Sequence, residues 1–289
     1  MNLNSKAVGL QEGLNPSTGE YPVLPDFHEN ELRLTRDLSM AREVQQQLLH
    51  REVRPVPGID IAAACVPACE LGGDFYDFLP YGHGRLGLAL GDVSGKGTAA
   101  ALLGALVMGI LRAHTVDHAD PSQHVLASLN HRIHAAGLDA RFVVMLYAVL
   151  DPGTRQLTFA NAGNPYPFLF RNGRIEEIEV SGIPLGLMRD TRYEAVSVDL
   201  QLGDIVVFVS DGILECQNRE QEAFGARRLA AVLTSLPQNA SAADISSAIL
   251  EATGVFGCDA SALRDDRSLI ALRLTDKSAP DCSGLPIIY

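Results

Sequence analysis

Hydrophobic positions along this chain change their spacing near Pro55, and that change divides the sequence. Upstream, Leu34, Leu38, Ala41, Gln45 and Leu48 recur at steps of four and three, the spacing of one helical face. It predicts a helix from about Glu29 to His50, read equally as a coiled-coil seam or as an amphipathic helix packed on its own domain. Pro55, Pro57 and Gly58 end it. Residues 1–27 are rich in Asn, Gly, Pro and Ser without periodicity and read as a flexible tail, as do residues 276–289. Residues 28–55 then form a helical linker, and 56–275 a domain.

Within that domain, short apolar runs alternate with turn residues. Ile59 to Val66, Leu86 to Leu90 (running into Asp92), Phe142 to Leu150, Leu157 to Ala160, Phe168 to Phe170, Ile205 to Val209 and Ser268 to Leu274 read as strands. Asp151-Pro152-Gly153 and Asn172-Gly173 supply tight turns between some of them. Helical spacing covers Thr98 to His114, Ala226 to Leu233 and Ala242 to Ala252. Another helix starts at Asp120-Pro121, an acceptor side chain before a proline suited to the first helical position. Its apolar face is Val125, Leu129 and Ile133. Strands joined by turns, with helices inserted in blocks, predict an α+β fold with antiparallel sheet.

Composition narrows the function. The 289 residues are 47% hydrophobic and 20% charged, enough apolar material to build a core. A formal net charge of −12 argues against nucleic-acid binding, which needs a basic surface. Ala99 to Leu111, 13 apolar residues rich in alanine, is too short for a membrane span and reads as a buried helix. No basic start followed by an apolar core opens the chain. Five scattered cysteines, Cys65, Cys69, Cys216, Cys258 and Cys282, read as free thiols in a reducing cytoplasm.

Chemistry enters through aspartates beside glycine at the ends of apolar runs. They stand in GGDFYD (Gly72 to Asp77), GDVSGKG (Gly91 to Gly97), SDG (Ser210 to Gly212) and RDDRS (Arg264 to Ser268). Desolvating one such carboxylate is costly. Several together are tolerated when hard cations hold them, and oxygen-only sites suit magnesium or manganese. A nucleotide-binding P-loop is excluded: three residues separate Gly91 from Gly95, and Gly97, not Ser or Thr, follows Lys96. No Gly-x-Ser-x-Gly elbow supports a Ser-His-Asp hydrolase. His114, His118, His131 and His134 offer a rival zinc site, but they stand apart from the acidic turns.

The ordered set GGDFYD, GDVSGKG, FVVMLYAVLD, ANAG, PLGL, LGDIVVFVSDGILE, AFG and DDRSLIAL resembles the PPM-type metal-dependent serine/threonine phosphatases, in the bacterial SpoIIE/RsbU branch. The resemblance runs from about Glu31 to Leu274 and makes 56–275 the phosphatase domain. It implies two packed antiparallel sheets flanked by helices, with two Mn²⁺ or Mg²⁺ ions at one edge. By this resemblance Asp92 bridges both ions, the Val93 carbonyl contributes to one, and Asp74, Asp211 and Asp265 complete the set. Asp265 is favoured over Asp266 as the ligand. Asp77 takes a supporting role, and Lys96 or Ser94 assists substrate or leaving group.

The activity so implied is hydrolysis of phosphoserine or phosphothreonine on a regulatory protein, an anti-sigma-factor antagonist, in the cytoplasm. The helix containing Ala41-Arg42-Glu43-Val44-Gln45 resembles the branch's linker and offers a route to a homodimer. The alternative is a phosphatase-fold binding module that signals through this helix without turnover. Asn164 stands after Ala162-Gly163 where many relatives have His, and Ser210 and Ser268 stand where Thr is common.

Overall fold

The computed structural model describes residues 27–49, 55–117, 120–137, 141–257 and 265–276. The tails at 1–26 and 277–289, with His118, Cys258, Arg264 and Cys282, lie outside the described residues. The chain divides into two compact units between Met40 and Ala41, within helix α1 (Phe27–Leu49). In the smaller unit Leu32, Leu34 and Met40 are exposed on α1. In the larger one, Ala41, Gln45 and Leu48 are half-buried and Leu49 is buried.

The larger unit holds two five-stranded antiparallel sheets. One has the order β1 (Ile59–Val66), β10 (Arg267–Leu274), β9 (Ile205–Val209), β6 (Phe168–Arg171), β7 (Arg174–Glu177). The other runs β2 (Phe75–Pro80), β3 (Leu86–Val93), β4 (Val143–Asp151), β5 (Gln156–Ala162), β8 (Ala195–Asp199). The implied α+β architecture of paired antiparallel sheets is the one observed.

Strand alternation builds the layers. Val206, Phe208, Ile270 and Leu272 join the core shared with the second sheet, while Val207, Val209, Leu269 and Ala271 face the other way. There they meet α5 (Gly225–Ser235) and α6 (Ala242–Gly257) through Leu229, Leu233, Ile245 and Ile249. Buried on both faces, β9 and the centre of β10 therefore read as unbroken apolar runs. Against the second sheet lie α2 (Thr98–Asp117) and α3 (Ser122–Ala135). By length and composition α2 could cross a membrane, yet half of that window is buried in the domain. In α3, Val125, Leu129 and Ile133 are buried as their spacing predicts.

Some elements differ from the sequence reading. β2 was not read as a strand, and β7 and β8 are short, largely exposed edge strands without an apolar signature. Asp120 does not cap α3; its carboxylate turns to His114 Nε2 at 3.2 Å instead, and Pro121 stays extended ahead of the helix. Asn172 and Gly173, at φ 51° and 75°, make the tight β6–β7 turn expected of that pair.

Candidate metal centre

The antiparallel pairings bring the aspartates to one end of the sandwich. Asp92 ends β3 beside the start of β2, which Asp74 immediately precedes, with Phe75 opposite Gly91. Asp211 follows β9, beside the start of β10, which Asp265 and Asp266 precede, with Leu269 opposite Val209. Each sheet thus contributes two of the four expected ligands.

These carboxylates lie close enough to perturb one another. Burial, then the charge of Asp92, holds Asp74 well above the usual carboxylate range. Burial and Asp211 push Asp92 up to about 7. Burial and Asp265 raise Asp211. Like charges desolvated together disfavour their own ionisation, and a hard cation relieves that cost. Among the described residues no three acidic, histidine or cysteine side chains converge into a finished cage; the carboxylates interact electrostatically, Asp92 with Asp211, Asp265 and Asp266. An all-oxygen donor set with mutually raised carboxylates fits Mg²⁺ or Mn²⁺.

Glycines make the approach possible. A β-carbon on Gly73 would lie 2.9 Å from the Val93 carbonyl oxygen and 3.0 Å from Asp92 Oδ1. The Val93 carbonyl and Asp92 carboxylate therefore face the loop that carries Asp74. Lys96 Nζ approaches Asp265 Oδ1 at 3.4 Å, both side chains about half exposed.

Three residues are engaged by the fold. Ser94 Oγ accepts from the Phe142 N–H at 2.9 Å, and its own N–H donates to the Phe142 carbonyl. Asp77 is engaged away from the cluster, accepting from Arg112 Nε at 2.5 Å and the Phe78 N–H at 2.9 Å. Arg112 also donates to the Leu48 carbonyl, so Asp77 ties β2 to α2 and the end of α1. Asn164 is buried, and its Nδ2 reaches the Val209 carbonyl at 3.3 Å, joining β5 to the strand that leads into Asp211.

Other contacts escaped sequence reasoning. Ser268 Oγ donates to Asp74 Oδ2 at 2.6 Å. Ser210 Oγ accepts from the Ser268 N–H and donates to the Asp266 carbonyl. Asp266 accepts from the N–H groups of Ala68, Gly73 and Asp74, and Gln45 brackets Gly72 through both its N–H and its carbonyl. Hydroxyls at 210 and 268, rather than any particular β-branch, are the signal the sequence carried. Among the described residues no histidine metal cluster forms: His114 is buried against Asp120 and Ser128, while His134 meets the Gly186 carbonyl.

Comparison with known proteins identifies the family. The family model described as Stage II sporulation protein E (SpoIIE) matches residues 82–275. Phosphoserine phosphatase RsbU of Bacillus subtilis (strain 168) is 33% identical over 184 residues, covering 63% of this chain and 54% of that protein. The chain spans about half the length, or less, of the curated relatives it matches. Among solved structures, the RsbU and RsbW domains of Rv1364c from Mycobacterium tuberculosis align with a TM-score of 0.62 and 28% identity, covering 77% of this chain and 62% of that one. The SiaA-PP2C domain of Pseudomonas aeruginosa aligns with a TM-score of 0.75 at 20% identity, covering 86% and 99%.

Proposed function

The chain belongs to the SpoIIE family, and from that premise we propose that it is a metal-dependent phosphatase of phosphoserine or phosphothreonine on a regulatory protein. The observation that carries the proposal is the placement of Asp74, Asp92, Asp211 and Asp265 at the strand ends on one end of both sheets, where burial and neighbouring carboxylate charges raise the first three. In this reading these four carboxylates and the Val93 carbonyl would hold two Mn²⁺ or Mg²⁺ ions. Divalent cations there would supply an acidified water and charge neutralisation at the phosphoryl oxygens.

The protein's own groups do the rest. Ser268 orients Asp74 by donating to Oδ2. Gly73 keeps the loop free of a side chain, so that Val93 and Asp92 face it directly. Lys96, now paired with Asp265, stands at the exposed rim, where an ammonium group can meet a phosphoryl oxygen of the substrate.

The substrate we favour is a phosphorylated anti-sigma-factor antagonist, in a cytoplasmic setting in which Cys65, Cys69 and Cys216 stay free thiols. The exposed Leu32, Leu34 and Met40 of α1 support a homodimer through the linker helix; a monomeric mass at high concentration counts against it.

Phosphate release from a phosphopeptide, with and without Mn²⁺, tests the central claim. Wild type should be active only with metal, and Asp92→Asn inactive. Equal inactivity of both at saturating metal would leave a binding module in place of an enzyme.

A further inference from the structure

We propose that Asp266 is the positioning residue that sets the spacing between the two sheets' ligands, rather than a ligand itself. The inference rests on the metal-centre reading above.

Asp266 is buried, 8% exposed, and both of its carboxylate oxygens are committed. Oδ1 accepts from the Ala68 N–H at 2.7 Å. Oδ2 accepts from the Gly73 N–H at 2.6 Å and the Asp74 N–H at 3.3 Å. Donors of this kind complement an ionised carboxylate and form the stronger class of hydrogen bond. The loop 67–74 has no helix or strand of its own, so these bonds fix where it passes. They reach across 193 residues of sequence, from the head of β10 in one sheet to the head of β2 in the other.

The main chain of Asp266 meets the turn that carries Asp211, the ligand on its own sheet. Its carbonyl accepts from Ser210 Oγ, and a β-carbon on Gly212 would lie 1.9 Å from that oxygen. Glycine at 212 lets the turn carrying Asp211 lie directly on residue 266. One residue thus touches the segments bearing Asp74 and Asp211 and is bonded to Asp265. The fit on the loop side is equally close: a β-carbon on Gly72 would lie 2.5 Å from Asp266 Oδ2.

Two variants perturb this tie from opposite sides. Asp266→Asn turns an amide donor or a weaker acceptor toward the three N–H groups, and Gly72→Ala pushes the carboxylate off them. Mn²⁺ dissociation constants from calorimetry and Mn²⁺ activation curves are measured together for wild type and both variants. Both variants should bind Mn²⁺ roughly 10–100-fold more weakly, as for groups that orient ligands without coordinating, with kcat largely recovered at saturating Mn²⁺. If Asp266→Asn does not fold, Gly72→Ala carries the test. Wild-type Mn²⁺ affinity in both variants overturns the proposal. So does a folded Asp266→Asn protein that cannot be rescued at any Mn²⁺ concentration, the behaviour of a lost ligand. Failure of wild type itself to bind Mn²⁺ sinks the metal-centre reading instead.

Discussion

Ser268 donates its hydroxyl to Asp74 Oδ2 across 2.6 Å, and both side chains are buried. The bond joins the head of β10 to the residue before β2. It favours the ionised form of Asp74 against the burial and the Asp92 charge that oppose it.

Ser268→Ala removes that donor and should weaken Mn²⁺ binding by about 1–2 kcal/mol, roughly tenfold. Ser268→Thr keeps the hydroxyl and should bind close to wild type. Calorimetric titration of the three proteins checks both statements. Equal affinity for the alanine and threonine variants would remove the hydroxyl from the account.

The raised carboxylates give the metal-free protein a distinctive pH dependence. Asp92 titrates at about 7 in the fold, against an ordinary value of 3.8. Between these values the folded state holds a proton that the unfolded chain has released. Stability without metal therefore falls as pH rises from about 4 to about 7. A bound cation takes over the role of that proton, so stabilisation by Mn²⁺ should be larger at pH 8 than at pH 5. Thermal melts with and without Mn²⁺ at the two pH values measure it, and a shift no larger at pH 8 contradicts the assignment.

Arg112 faces Asp77, whose side chain is fully buried. Arg112→Met strands that charge and should cost about 3–5 kcal/mol in urea unfolding. Adding Asp77→Asn should recover part of the loss, since the remaining partner no longer carries a charge. A single-variant cost near zero would mean that the pair contributes nothing to joining β2 and α2.

Gly212→Ala places a methyl group where the Asp266 carbonyl lies. The turn must move, at an expected cost of about 1–3 kcal/mol, and Asp211 moves with it. Lowered melting temperature together with weakened Mn²⁺ binding is the expected pair of results; unchanged binding would mean that Asp211 adjusts independently of its neighbour.

The strand-end aspartates were legible because their signature is local: an apolar run, then Asp beside Gly. β9 and the 269–272 centre of β10 were legible for the same reason, since burial on both faces leaves those runs apolar. Asp266 was not, because its partners lie some 190 residues away and nothing in Asp-Asp says which carboxylate turns inward. The tie of Ser94 was not legible either: it follows Asp92 closely in sequence, but its hydroxyl accepts from the distant Phe142 N–H. β8 escaped because an edge strand with exposed alternate positions needs little apolar pattern. Asp120 shows the tertiary structure overriding a local rule, its capping role lost to His114.

With two carboxylates riding on each sheet, the site is also a seam. Like charges there oppose the approach of the two sheets, and neutralising them favours it. The reactive end should accordingly be the part of the domain whose amide exchange slows most when Mn²⁺ is added, with the far ends of β9 and β10 little changed. Turnover and mechanical closure of the two layers would then depend on the same four charges.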